Sequence, residues 1–299
     1  MAHRLPPWFK QPLPRVGETA AVERLLRELK LHTICEGARC PNKGYCYSHG
    51  TATFLIMGDT CTRRCTFCNV SKGETSAIDA DEPARIAEAA GRLGLDYVVV
   101  TSVTRDDLPD GGAGHFAQTV ELLHQAAPEI RVEVLVPDFK GSHDSVITVA
   151  RSLPEVFAHN LETVPRLYGE VRPQADYCRS LVVLRQAKLS GGGMLTKSAL
   201  MLGLGETREE VLGVMRDLRG VGCDIFTLGQ YLDNPGRHPI VSFVSPDEFA
   251  EYERQALEMG FAAVASAPLV RSSFKAAELY DRALNHPAFP GNPDELGPA

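Results

Sequence analysis

From residue 53 onward the chain alternates between short β-branched runs and longer stretches with helical spacing. Apolar runs at 53–57, 96–101, 131–136, 156–159, 196–202, 225–229 and 261–265 predict strands. The segments between them, 82–93, 114–127, 143–151, 174–189, 208–221 and 246–259, place apolar residues three and four apart and predict helices. Thr207 with Glu210 three residues later reads as a capping box, and Asp81 stands at an N-cap position. Strands separated by 10–15-residue helices imply right-handed βαβ units on a parallel sheet. With no Gly-x-Gly-x-x-Gly opening, the pattern favours a partial or full α/β barrel over a doubly wound sheet. In such a barrel chemistry sits at the C-terminal ends of the strands. Upstream, 1–20 reads as a proline-rich arm and 20–30 as a helix; the tail from 285, with four prolines, predicts loose order.

Composition narrows the classes. A net charge of −7 argues against nucleic-acid binding as the main task. No run approaches the ~18 apolar residues of a membrane span, and prolines interrupt the basic N-terminus, so a cytoplasmic protein is expected. Six of the eight cysteines fall between Cys35 and Cys68, in two tight groups, which points to metal or cluster ligation rather than disulfides.

The stretch Cys61-Thr62-Arg63-Arg64-Cys65-Thr66-Phe67-Cys68 follows the first barrel strand. Its three thiolates can hold three irons of a 4Fe–4S cube and leave the fourth open. A zinc site would need a fourth ligand nearby, and Asn69 is a poor one. Phe67 is expected to shield the cluster and Arg63 and Arg64 to offset its charge. Cys35, Cys40 and Cys46 form a second triplet, which on spacing alone is either structural or a second cluster site. Cys178 and Cys223 read as buried small apolar residues.

Other residues carry weaker signals. Ser273 reads as a helix N-cap, and Gly203-Leu204-Gly205-Glu206 as either a βα turn or a close backbone approach to a flat ligand. Asn160 and Glu162 suit ribose hydroxyls or a solvated loop. Arg179 and Lys197 are candidates for a carboxylate or for surface and capping roles.

The Cys-x-x-x-Cys-x-x-Cys spacing resembles that of the radical S-adenosylmethionine enzymes, and its combination with Cys-x4-Cys-x5-Cys upstream resembles the lipoyl synthases. Pro7-Trp8-Phe9-Lys10, the stretches 105–112, 159–164 and 202–207, Gln230-Tyr231-Leu232 and Arg271-Ser272-Ser273-Phe274 extend the likeness over roughly residues 7–282. The resemblance implies a partial (β/α)6-type TIM barrel at 51–265, with an N-terminal extension (1–50) carrying the auxiliary motif and a C-terminal extension (266–299). It further implies a radical-generating 4Fe–4S cluster on Cys61, Cys65 and Cys68, with the open iron binding S-adenosylmethionine. An auxiliary 4Fe–4S cluster would be held by Cys35, Cys40, Cys46 and Ser273. Gly203, Gly205 and Glu206 would lie beneath the adenine, and the loop 101–112 would lie near the methionine amino group.

The implied reaction is sulfur insertion at C6 and C8 of an octanoyl group on a carrier protein, the H protein or a 2-oxoacid dehydrogenase E2. A flavodoxin or ferredoxin would supply electrons, and an iron–sulfur carrier could load the clusters. Phe274 departs from the family's usual Tyr. A biotin synthase-like sulfur-inserting enzyme would lack the N-terminal triplet; a non-catalytic iron–sulfur carrier would not need an adenosylmethionine pocket.

Overall fold

The computed structural model describes residues 5–10, 17, 19–49, 51–232 and 237–286. The tail expectation for 287–299 and parts of the proline-rich arm therefore lie outside the described residues.

Among the described residues there are ten strands: β1 (His32–Thr33), β2 (Thr53–Ile56), β3 (Thr60–Cys61), β4 (Ser71–Lys72), β5 (Tyr97–Ser102), β6 (Arg131–Leu135), β7 (Val156–Ala158), β8 (Leu195–Leu202), β9 (Ile225–Gln230) and β10 (Ala263–Ser266). Eight form one sheet in the order β1-β2-β5-β6-β7-β8-β9-β10. Every pair from β2 onward is parallel; only β1 on β2 is antiparallel. The sheet is a mostly parallel α/β structure that does not close: β10 does not pair with β2. The seven parallel strands match the seven sequence runs, whereas the two-residue β1 has no periodicity to announce it.

Helices fill the connections, at Glu82–Leu93, Ala113–Ala126, His143–Arg151, Tyr177–Leu189, Arg208–Gly220 and Pro246–Glu258. Thr207 and Glu210 form the expected capping box. Asp81 makes no side-chain cap; Asp79 accepts the Asp81 N–H instead, at 3.0 Å. Cys223 is buried as expected, but Cys178 is exposed, because residue 178 falls on the outer side of its helix.

Period-two alternation decides which residues face inward. Thr101, Leu135, Ala199, Met201, Thr227 and Gly229 line the cavity at the strands' C-terminal ends. One layer below, on the same inner face, lie Tyr97, Glu133 and Lys197. Helix Ala276–Leu284 packs at the other end of that face, with Leu279 and Ala283 against Val156, Leu195, Ile225 and Ala263. The inner face is thus covered from below, and the cavity lies at the top.

Candidate active site

The cavity has a volume of about 540 Å³, and five of the six clustered cysteines line it, together with Ser273. Cys61 ends β3, which pairs in parallel with β4, so the cysteine loop is pinched at its base. Thr62 N donates to the Thr104 carbonyl at 3.1 Å and Thr66 N to the Val171 carbonyl at 3.0 Å. Lys72 donates to the Cys65 carbonyl at 2.7 Å. Backbone N–H groups of Arg63 and Thr104, each 3.4 Å away, point at the Cys61 sulfur. Phe67 lines the same cavity.

Arg63 corrects an expectation. Its guanidinium is buried and bonded to Asp106, at 2.8 and 3.0 Å, and to Asp138, at 2.6 Å. Its charge is therefore taken up by two carboxylates rather than left for a cluster, and its structural effect is to fix the loop. Asp107 is held by Arg105, which lowers its carboxyl to about 2.

In the second triplet Cys35 and Cys46 lie on two short helices, Ile34–Gly37 and Lys43–Ser48, and Cys40 lies in the turn between them. Asn42 donates to the Leu269 carbonyl at 2.8 Å, and the Tyr45 and Phe274 rings meet at 5.7 Å. Thr53 donates to Ser273 Oγ at 3.0 Å, and Thr53 also hydrogen-bonds Cys35. Ser273 is not an N-cap: its helix begins at Ala276, after Lys275 in the left-handed region at φ 54°. The chain's two ends thus bring Ser273 to the Cys35, Cys40 and Cys46 group. Gly229 makes this approach possible, since a Cβ there would lie 2.0 Å from the Val270 carbonyl oxygen. Arg271 donates to that carbonyl at 2.6 Å and lies near both Cys40 and Glu162.

Burial pushes the thiols up, Cys35 and Cys68 to about 11 and Cys46 to about 12. Loading iron must therefore release protons. Among the described residues, no three Cys, His, Asp or Glu side chains converge on a single-ion position. A tetrahedral zinc site draws its ligands to about 2.0–2.3 Å of one atom, whereas a cube spreads three thiolates over three irons.

A cluster and a polar cosubstrate fit what is present. Buried polar atoms without hydrogen-bond partners gather on this wall: Ser102 Oγ, His159 Nε2, Asn160 Oδ1, Arg172 Nε and Thr227 Oγ1, all on cavity-lining residues. Buried polar groups are normally paired, so five such atoms in one cavity mark a ligand's place. Asn160 donates to Glu162 at 3.0 Å; Glu162 holds φ at 66°, and burial raises its carboxyl.

The other sequence candidates fall elsewhere. Arg179 does not line the cavity and reaches Asp138 at 3.3 Å. Lys197, one layer too deep, bonds both oxygens of Glu133 at 2.8 and 2.9 Å. Gly203 and Gly205 also lie off the cavity. The space a Cβ at 203 would take is filled by Gln230 Nε2, 2.0 Å away, while Glu206 accepts the Gly203 and Leu204 N–H groups at 2.6 and 2.9 Å. Sequence reasoning passed over Arg172, which is buried beside Cys65 and Glu162. A lone Arg before Pro173 offers no signal in sequence.

Comparisons bear on the same features. The radical SAM superfamily model matches residues 55–218, over half the chain, and the model of the N-terminal domain of lipoyl synthase matches residues 1–40. Among curated proteins, a lipoyl synthase from Syntrophotalea carbinolica is 53% identical, covering 91% of this chain and 88% of its own length. One from Caldicellulosiruptor saccharolyticus is 51% identical, covering 93% and 98%. Among solved structures, HydG, a maturase of the [FeFe]-hydrogenase, superposes with a TM-score of 0.58 at 13% identity, over 89% of this chain and 66% of its own. Streptococcus suis SuiB bound to S-adenosylmethionine gives 0.52 at 14% identity, over 82% and 58%. These structural likenesses concern the fold alone.

Proposed function

We propose a residue-level division of labour for this chain, which belongs to the lipoyl synthase family of the radical S-adenosylmethionine superfamily. It is a sulfurtransferase that inserts two sulfur atoms into a protein-bound octanoyl group, with 4Fe–4S clusters as cofactors and S-adenosylmethionine as cosubstrate. When bound, these groups supply a 5′-deoxyadenosyl radical for hydrogen abstraction and sulfide for the carbon left behind.

Cys61, Cys65 and Cys68 hold the radical-generating cluster; Cys35, Cys40, Cys46 and Ser273 hold the auxiliary one. The observation that carries this reading is the meeting of Ser273 with the Cys35, Cys40 and Cys46 group through Thr53, from which Ser273 is 220 positions distant in sequence. Asn160 and Glu162 take ribose hydroxyls, and Arg172, with a free buried N–H, takes the methionine carboxylate in place of Arg179 and Lys197. The Gly203–Glu206 turn acts through Gln230, which it locks against the 241–244 segment. Leu135, Val136, Leu200, Met201 and Val270 give the octanoyl chain an apolar wall and exclude water.

The N-terminal part (1–50) and C-terminal part (266–299) serve as the auxiliary-cluster module on the barrel at 51–265. An H protein or E2 domain presents the octanoyl-lysine, and a cytoplasmic flavodoxin or ferredoxin donates electrons. Anaerobic reconstitution followed by reaction with an octanoyl-lysine peptide tests the reading. Two cubes require about eight irons per chain, with a mass gain of two sulfurs in the product. About four irons, or deoxyadenosine without sulfur transfer, would sink it.

A further inference from the structure

The wall that holds Asn160 and Glu162 carries a histidine with no assigned role. His159 follows the last residue of β7, and its ring is 1% exposed. Nδ1 lies 2.9 Å from the Val136 carbonyl oxygen. A carbonyl can only accept, so Nδ1 carries the hydrogen. The ring is neutral, since burial and then the Arg172 charge bring its titration down to about 4. In that tautomer Nε2 is a bare lone pair, and it has no partner. Two adjacent cavity-lining residues therefore present unpaired acceptors, His159 Nε2 and Asn160 Oδ1. A ligand completing this wall has to bring hydrogen-bond donors. An alkyl chain and cluster sulfides bring none, whereas S-adenosylmethionine carries an ammonium and two ribose hydroxyls.

We propose that His159 is a further binding residue for S-adenosylmethionine, its Nε2 accepting a hydrogen bond from an N–H or O–H of that molecule. The inference rests on the functional reading above. The Val136 carbonyl sets the tautomer, and neutrality keeps the lone pair available; a protonated ring would present a donor to a donor. The backbone thus selects the chemistry of a side chain whose outer nitrogen does the binding.

Equilibrium binding of S-adenosylmethionine to the anaerobically reconstituted chain, without reductant so that no turnover occurs, tests this. In His159→Asn the amide can still donate to the Val136 carbonyl but no acceptor reaches the Nε2 position. Its dissociation constant is expected to rise about tenfold, the size of one hydrogen bond. His159→Gln places an amide oxygen near the Nε2 position and is expected to bind within about threefold of wild type. Iron content and melting temperature, measured on both variants, should stay at wild-type values. Unchanged affinity in His159→Asn overturns the inference, as does a loss confined to octanoyl-lysine peptide binding, which would assign the acceptor to the substrate amide. A loss equal in both variants and accompanied by lost iron also overturns it, since that is the mark of a structural role. A wild-type chain that binds no S-adenosylmethionine at all overturns the functional reading itself.

Discussion

Lys197 and Glu133 place opposite charges side by side at almost no exposure, and the Tyr97 hydroxyl donates to the same carboxylate at 2.9 Å. Removing one partner strands the other in a dry layer, at a cost of about 3–5 kcal/mol. Lys197→Met is therefore expected to lower the melting temperature by about 10 °C, with thermal denaturation as the check. Arg179→Ala should cost far less, because Asp138 keeps its bond to Arg63. His159 makes a pH prediction. It titrates near 4 in the folded chain against 6.5 in its ordinary state, so between those values the unfolded chain binds more protons. Protonating the ring costs the folded chain about 3 kcal/mol relative to the unfolded one, so that much stability is kept above pH 6.5 and lost as pH falls toward 4. Melting curves from pH 7 to 4.5 should show a shallower acid decline in His159→Gln than in wild type; parallel declines would contradict it. On the proposed assignment, Ser273→Cys replaces a hard ligand that is easily displaced with a soft one that holds the cluster together. Product analysis is expected to show the singly thiolated intermediate accumulating, and normal second insertion would refute a role for ligand displacement.

At the scale of elements, β9 is the part most exposed to a small change. A Cβ at Gly229 would meet the Val270 carbonyl at 2.0 Å and the Arg271 guanidinium at 3.1 Å, so Gly229→Ala must push the 270–273 segment off the barrel mouth. Iron analysis is expected to fall from about eight toward about four per chain, with deoxyadenosine formation retained. This sensitivity was hidden in the sequence, where Gly229 is one glycine in an apolar run. The strands and helices were legible because burial imposes periods of two and 3.6 on them, and 82–93 and 143–151 match the helices at both ends. What escaped depends on contacts between distant segments. The left-handed Lys275 moved a helix start and freed Ser273, and layer depth, which alternation does not encode, took Lys197 below the cavity. The Ser245–Glu248 capping box, by contrast, stood open in Ser-Pro-Asp-Glu and was available to the same reasoning that found Thr207. The grouping of the six cysteines was legible in their spacing, whereas the burial of Arg172 beside Cys65 and Glu162 needed the fold.

At the top of the molecule two short helices, a pinched loop and the 269–274 segment meet. Among the described residues, side-chain hydrogen bonds that join or brace them include Asn42 to Leu269, Asn69 to Ala38, Thr53 to Ser273 and Lys72 to Cys65. Clusters binding only the folded arrangement would stabilise it by linkage. Chelating the iron is expected to lower the melting temperature by several degrees and to open residues 31–49 to proteolysis before the sheet, which limited digestion with mass spectrometry can follow.

The pairing of Thr53 with Ser273 also sets an order of events during synthesis. Chains grow from the N-terminus, so Cys35, Cys40 and Cys46 leave the ribosome more than two hundred residues before the serine they meet. Cys61, Cys65 and Cys68 follow soon after, and most of the sheet can form before the 269–284 segment is made. A nascent or prematurely terminated chain would thus carry six thiols before Ser273 exists. Only a chain long enough to seat Ala276–Leu284 across the inner face brings Ser273 beside Thr53, so on the proposed assignment the auxiliary site is completed last.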